Sequence, residues 1–165
     1  MWLVHVGPFT WAPGTPGLDT LALAHWPLHT GNIPMDFLRP HRQRLLSLLR
    51  IMTGLLILQH GTTKYLNIPL GPMNNAAPTT PGGAAGLIEL VCGLLVTVGL
   101  FTRLSAFILS GTMAVAYFYA HAPRGFYPIL NQGELAVLYC FVFLYLAAAG
   151  GGPWSADRLL GRDGD

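Results

Sequence analysis

The chain has 165 residues, of which 52% are hydrophobic and 10% charged, far below the roughly 25% charged of an ordinary soluble domain. Nine Lys and Arg against seven Asp and Glu leave a formal charge of +2, too small and too dispersed for a nucleic-acid surface. Apolar segments fill nearly everything after position 40, which excludes a separate soluble catalytic domain.

Residues 1–34 contain no Lys or Arg, five prolines and three tryptophans. They offer neither the basic start nor the unbroken apolar run of a secretory signal. Pro27 breaks any helix that would align His25 with His29, so no metal site is expected there. Met35 leads directly into a basic stretch, Arg39 to Arg44. The working protein is therefore expected to begin at or near Met35, with 35–165 a single transmembrane domain. The alternative makes 1–34 an extension whose Trp residues lie at the headgroups.

Four apolar segments follow, at about 45–66, 84–102, 104–121 and 131–149. Each approaches the 17–25 residues that carry a helix across a bilayer, and Leu104 to Ala120 holds no charge at all. The expected fold class is all-α, a four-helix transmembrane bundle. Loop 67–83 is rich in Pro, Gly and Asn, while Thr102-Arg103 is nearly all that separates spans two and three. Gly86, Gly93 and Gly99 of span two, with Ser105, Ser110 and Gly111 of span three, are expected to let those helices approach closely. Cys92 and Cys140 lie inside spans two and four and read as small packing residues. Arg39, Arg42, Arg44, Arg103, Arg158 and Arg162 fall on one side of the four spans, and only Lys64 and Arg124 on the other. The positive-inside bias then places both ends of the core in the cytoplasm, with loops 67–83 and 122–130 outside.

Ionisable residues at membrane depth are the functional candidates. Counting inward from the outer ends puts His60 and Glu89 at one depth, roughly 9 Å in at 1.5 Å per residue. Lys64 lies one turn above His60. His121 ends span three, and Asn131 and Glu134 begin span four, so six polar residues are expected to gather in the outer half. Arg50 lies alone in the inner half. Each also has a structural reading. Asn131 and Glu134 have the spacing of a capping box. Lys64 and Arg50 have the length to snorkel to headgroups, and His121 can bond a helix's last carbonyls. Glu89 fits a structural account least well. A carboxylate buried in lipid needs a partner, and His60 and Lys64 are both in reach.

In order, the chain shows Arg50-x3-Gly54, His60-Gly61-x2-Lys64 and Glu89-x3-Gly93. It continues with Gly99-Leu100-Phe101-Thr102-Arg103-Leu104-Ser105-Ala106, Asn131-x-Gly133-Glu134 and Gly150-Gly151-Gly152-Pro153-Trp154-Ser155-Ala156-Asp157. Over residues 44–158 this set resembles the DoxX family of small four-span bacterial membrane proteins. The tail departs from that pattern at Ser155-Ala156-Asp157, where a larger apolar residue is usual between Ser and Asp. The resemblance implies a multi-pass protein of the bacterial inner membrane. It further implies an accessory subunit of a quinone- or thiol/sulfur-linked oxidoreductase system, with membrane or peripheral protein partners; the cofactor is unassigned, with quinone at the His60–Glu89 cluster as the candidate. The family has no agreed catalytic set, so the resemblance assigns neither an enzyme activity nor a catalytic residue. A small proton-coupled transporter using Glu89, and a non-catalytic scaffold that recruits partners, are the alternatives.

Overall fold

The computed structural model describes residues 36–162, which are helices and connections without a strand among them. The expectations for residues 1–34 lie outside this range. A short 3-10 turn, Asp36–His41, leads into α1 (Arg42–Leu66), whose 25 residues span about 37 Å at 1.5 Å each. Asn67 then takes a left-handed φ of 56° and ends the helix. In α2 (Pro81–Val98) the Thr80 hydroxyl accepts the Gly83 N–H at 3.1 Å, and Pro81 sits at the first helical position, where its missing N–H removes no helical bond. α3 (Thr102–Ala116) continues through one π-helical turn, Tyr117–His121. A four-residue turn, α4 (Pro128–Asn131), precedes α5 (Glu134–Ala149), and α6 (Ala156–Leu159) lies in the tail.

The stretches Asp36–Leu66, Pro81–Val98 and Thr102–Arg124 are each long and apolar enough to cross a membrane. The equally apolar α5 has 16 residues, about 24 Å against a hydrocarbon core of about 30 Å. The reversal between α2 and α3 lies at Gly99–Phe101 rather than at the expected Thr102-Arg103. Gly99 and Phe101 both adopt positive φ, 79° and 49°, so the chain turns in three residues and Thr102 is already helical. The expected fourth span divides as well, because Gln132 takes a φ of 62° and separates α4 from α5.

Close approach occurs between α1 and α2, and not where the small residues of spans two and three had placed it. A Cβ on Gly54 would lie 2.8 Å from the Thr97 nitrogen, and one on Gly61 2.5 Å from that of Leu90. From the other side, a Cβ on Gly93 would lie 3.1 Å from the Leu58 nitrogen. Gly86 faces Lys64 and Tyr65. Two glycines seven residues apart on each helix thus make one antiparallel seam. In lipid such backbone proximity supplies the packing that water-driven burial cannot. Gly111 faces open space, while the Ser110 hydroxyl donates to the Cys140 carbonyl on α5 at 2.8 Å. The core is shared by all four long helices: Leu46 and Ile57, Cys92 and Val96, Ala106, Leu109 and Met113, with Tyr139, Phe143 and Leu146. Cys92 and Cys140 are both free thiols.

Candidate functional site

The sequence candidates separate into groups at different places in the bundle. Lys64 Nζ donates to Glu89 Oε2 at 2.7 Å, and this is the only ion pair among the described residues. Both side chains are buried, at 8% and 4% exposure for the whole residues. The pair forms because Gly86 stands where the lysine stem must pass. A Cβ on Gly86 would lie 2.6 Å from Lys64 Cδ. The lysine therefore runs down the seam to a carboxylate one turn deeper on α2 instead of snorkelling outward. The connection after α1 folds back over this end. Asn74 Nδ2 donates to the Thr63 carbonyl at 3.1 Å and to Asn67 Oδ1 at 2.8 Å, and the Ala76 N–H donates to the Lys64 carbonyl. Tyr65 adds a hydrogen bond to the Gly83 carbonyl at 2.7 Å. Paired charges in so apolar a surrounding roughly offset their own desolvation, whereas either one alone would not.

His121 and Asn131 form the second group, between the end of α3 and α4. His121 Nδ1 lies 3.1 Å from the Asn131 carbonyl, a bond that needs the proton on Nδ1. Asn131 Nδ2 donates to the Gly125 carbonyl at 2.6 Å, and its Oδ1 accepts the Gly133 N–H at 2.8 Å. Tyr117 closes the same loop by donating to the Phe126 carbonyl at 2.6 Å. The expected Asn131–Glu134 capping box is absent. Gly133 holds the N-cap position of α5, and Asn131 instead ties the preceding loop. Glu134 is exposed in the first turn of α5, where a negative charge offsets the helix dipole. His60 is half-buried and makes no hydrogen bond with the described residues, so it joins neither group.

Arg50 lies 14 residues before Lys64 on α1, about 21 Å away along the helix. It is fully buried and does not snorkel. Its Nε donates to the Gly151 carbonyl at 2.9 Å, and its Nη2 to that of Trp154 at 2.7 Å. Nη1 reaches the Val96 and Thr97 carbonyls at 2.6 and 2.5 Å. Those two carbonyls belong to the last turn of α2, the negative end of its dipole. One guanidinium therefore binds α1, the end of α2 and the tail. Gly99 leaves room for it, since a Cβ there would lie 2.9 Å from Arg50 Cζ.

The tail supplies a second fastening that residue spacing did not reveal. Asp157 Oδ1 accepts the Phe101 N–H and Oδ2 the Thr102 N–H, both at 2.8 Å. The Asp157 N–H donates in turn to the Gly99 carbonyl at 2.8 Å. Burial, the largest single influence on this carboxyl, opposes ionisation. The N–H donors of Thr102 and Phe101, then the Thr102 hydroxyl and the nearby Arg162 charge, together outweigh it and hold the group below the usual aspartate value. Asp157 was visible only as the last residue of the tail pattern. Nothing in sequence pairs a carboxylate with N–H groups 55 residues upstream.

The DoxX family model matches residues 45–122. An uncharacterized protein of Haemophilus influenzae is 43% identical over 129 residues, covering 75% of this chain and 96% of its own length. An uncharacterized membrane protein of Mycobacterium tuberculosis is 30% identical over 132 residues, covering 69% of this chain and 80% of its own. No solved structure matches the chain significantly.

Proposed function

Because the chain belongs to the DoxX family of membrane proteins, we propose that it is an accessory subunit of a quinone- or thiol/sulfur-linked oxidoreductase system in the bacterial inner membrane. In this reading Lys64 and Glu89 form its proton-exchanging pair. The arginine-rich end faces the cytoplasm, and the pair lies toward the opposite side. One observation carries the reading, the carboxylate and ammonium held 2.7 Å apart in the α1–α2 seam. Moving a single proton across that distance turns two ions into a neutral acid and a neutral amine with no change in net charge. Giving that proton to a reduced acceptor at membrane depth moves the acceptor's negative charge onto the pair, a carboxylate beside a neutral amine, until a proton from the aqueous side restores it. The electrons come from the partner enzyme.

A scaffold role is the second reading, and a specific observation favours it. Arg50 and Asp157, two of the most polar members of the family-like pattern, bond the chain to itself. One experiment separates the two readings. The partner oxidoreductase would be recovered with the wild-type protein and with Glu89→Gln, and turnover measured per mole of inserted subunit. Proton exchange predicts unchanged association and turnover reduced on the order of 100-fold, the usual scale for a lost acid–base group. Full turnover with Glu89→Gln would remove the chemical role and leave the scaffold.

A further inference from the structure

We infer that the arginine-rich end of the bundle is a binding collar for anionic phospholipids, in which Arg158 and Arg162 of the tail meet the phosphodiester and Trp154, Leu159 and Leu160 enter the leaflet beside it. This rests on the membrane-spanning fold and not on the proton-exchange reading.

Charge is the first reason. Arg39, Arg42, Arg44, Arg103, Arg158 and Arg162 are all exposed at this end. Among the described residues none of them makes an ion pair, the one pair there being Lys64–Glu89. Asp157, the acid next to Arg158 in the chain, is buried with its oxygens taken by the Phe101 and Thr102 N–H groups. Six arginines against Asp36, Asp157, Asp163 and Asp165 leave these stretches with an excess of positive charge, and guanidinium pairs with a phosphodiester through two parallel hydrogen bonds. Apolar exposure is the second reason. Leu159 is 88% exposed, Leu160 60% and Trp154 55%, in the same short tail that carries the two arginines. Leucine and tryptophan flanked by arginine make an interfacial pattern, apolar groups below the headgroups and cations at their level. An acidic protein surface would answer the arginines but not so exposed a leucine at the bilayer's edge.

Fixed position is the third reason. Arg50 holds the Gly151 and Trp154 carbonyls, Ser47 Oγ accepts the Trp154 N–H at 3.2 Å, and Asp157 locks onto the α2–α3 turn. The Arg162 guanidinium also lies 4.6 Å from the centre of the Phe101 ring. The tail thus presents its cations and apolar groups at a set depth relative to the spans. Less ordering entropy is lost on binding than for a free segment.

The test uses the full chain with Trp2, Trp11 and Trp26 changed to Phe, so that Trp154 is the only emitter. It is reconstituted in vesicles of phosphatidylcholine containing brominated phosphatidylglycerol or brominated phosphatidylcholine, and quenching of Trp154 gives the relative affinity. Preferential quenching by phosphatidylglycerol is expected. That preference should fall roughly five-fold for each of Arg158→Gln and Arg162→Gln, persist in the two Lys variants, and ignore Arg124→Gln at the opposite end. Salt at about 1 M, where the screening length is only about 3 Å, should erase the preference with no substitution at all. Equal quenching by the two lipids, or a preference untouched by both the Gln variants and salt, overturns the inference. Loss of the preference with millimolar inorganic phosphate at constant ionic strength reassigns the site to free phosphate. A Trp154 silent to both lipids also overturns it, because the tail then does not enter the leaflet.

Discussion

Lys64 and Glu89 differ from Arg50 in what satisfies each charge, and that difference decided which was readable in advance. Glu89 needed a cation, and counting depth along two spans left only His60 and Lys64. The choice between those two rested on Gly86, whose missing Cβ opens the lysine's path. Arg50 instead bonds four backbone carbonyls, and carbonyls occur at every residue, so no sequence pattern marks them as acceptors. The ion pair yields a stability prediction separate from any activity. Glu89→Leu strands an ammonium in the seam and should destabilise the folded protein by about 3–5 kcal/mol. Adding Lys64→Met removes the stranded charge and should recover most of that loss. Thermal unfolding in one detergent would compare wild type, single and double variants. A double variant as unstable as Glu89→Leu would contradict the pairing as the source of the effect.

At the level of elements, the helices were legible because lipid leaves long apolar runs no other structure, whereas their ends were not. α2 begins three residues before the apolar run suggests, since Thr80-Pro81 starts a helix irrespective of hydropathy. The Asn131-x-x-Glu134 spacing suited a capping box, yet Gln132 turns left-handed between them and hands the cap to Gly133. The α1–α2 seam was missed for a related reason. Glycines seven apart on both helices carry the signal, but their facing partners emerge only once the register is fixed. The tail contributes a pH-dependent element. The Asp157 carboxyl lies below its usual value when folded, so its stabilisation is present above the ordinary aspartate value of about 3.9. It is lost as pH falls through the lower folded value. Asp157→Asn should cost about 0.5–2 kcal/mol at neutral pH, the range for losing a helix cap, and should remove one acid-sensitive step from the unfolding profile. Thermal midpoints taken between pH 7 and pH 3 would check this, and an identical acid dependence in the two proteins would contradict it.

For the whole molecule, both fastenings and six of the seven exposed arginines lie at one end, and the Lys64–Glu89 pair lies toward the other with Arg124. The arginine asymmetry predicts that reporters fused after Arg103 and Arg158 read cytoplasmic, while those within 70–80 and near Arg124 read external. An external reading at Arg103 would invert the protein and place the ion pair toward the cytoplasm. The Arg50 fastening also has a consequence in time. Arg50 enters the membrane with the first span, yet its Gly151 and Trp154 acceptors follow 101 and 104 residues later. At roughly 5–20 residues per second, the nascent chain holds a guanidinium at membrane depth for about 5–20 seconds before those acceptors are made. Until then three more spans must insert beside a charge whose tail carbonyls do not yet exist. Assembly therefore has a built-in completion signal, because only a chain translated through Trp154 can bury that arginine fully. A chain that stalls earlier carries its own mark for membrane quality control.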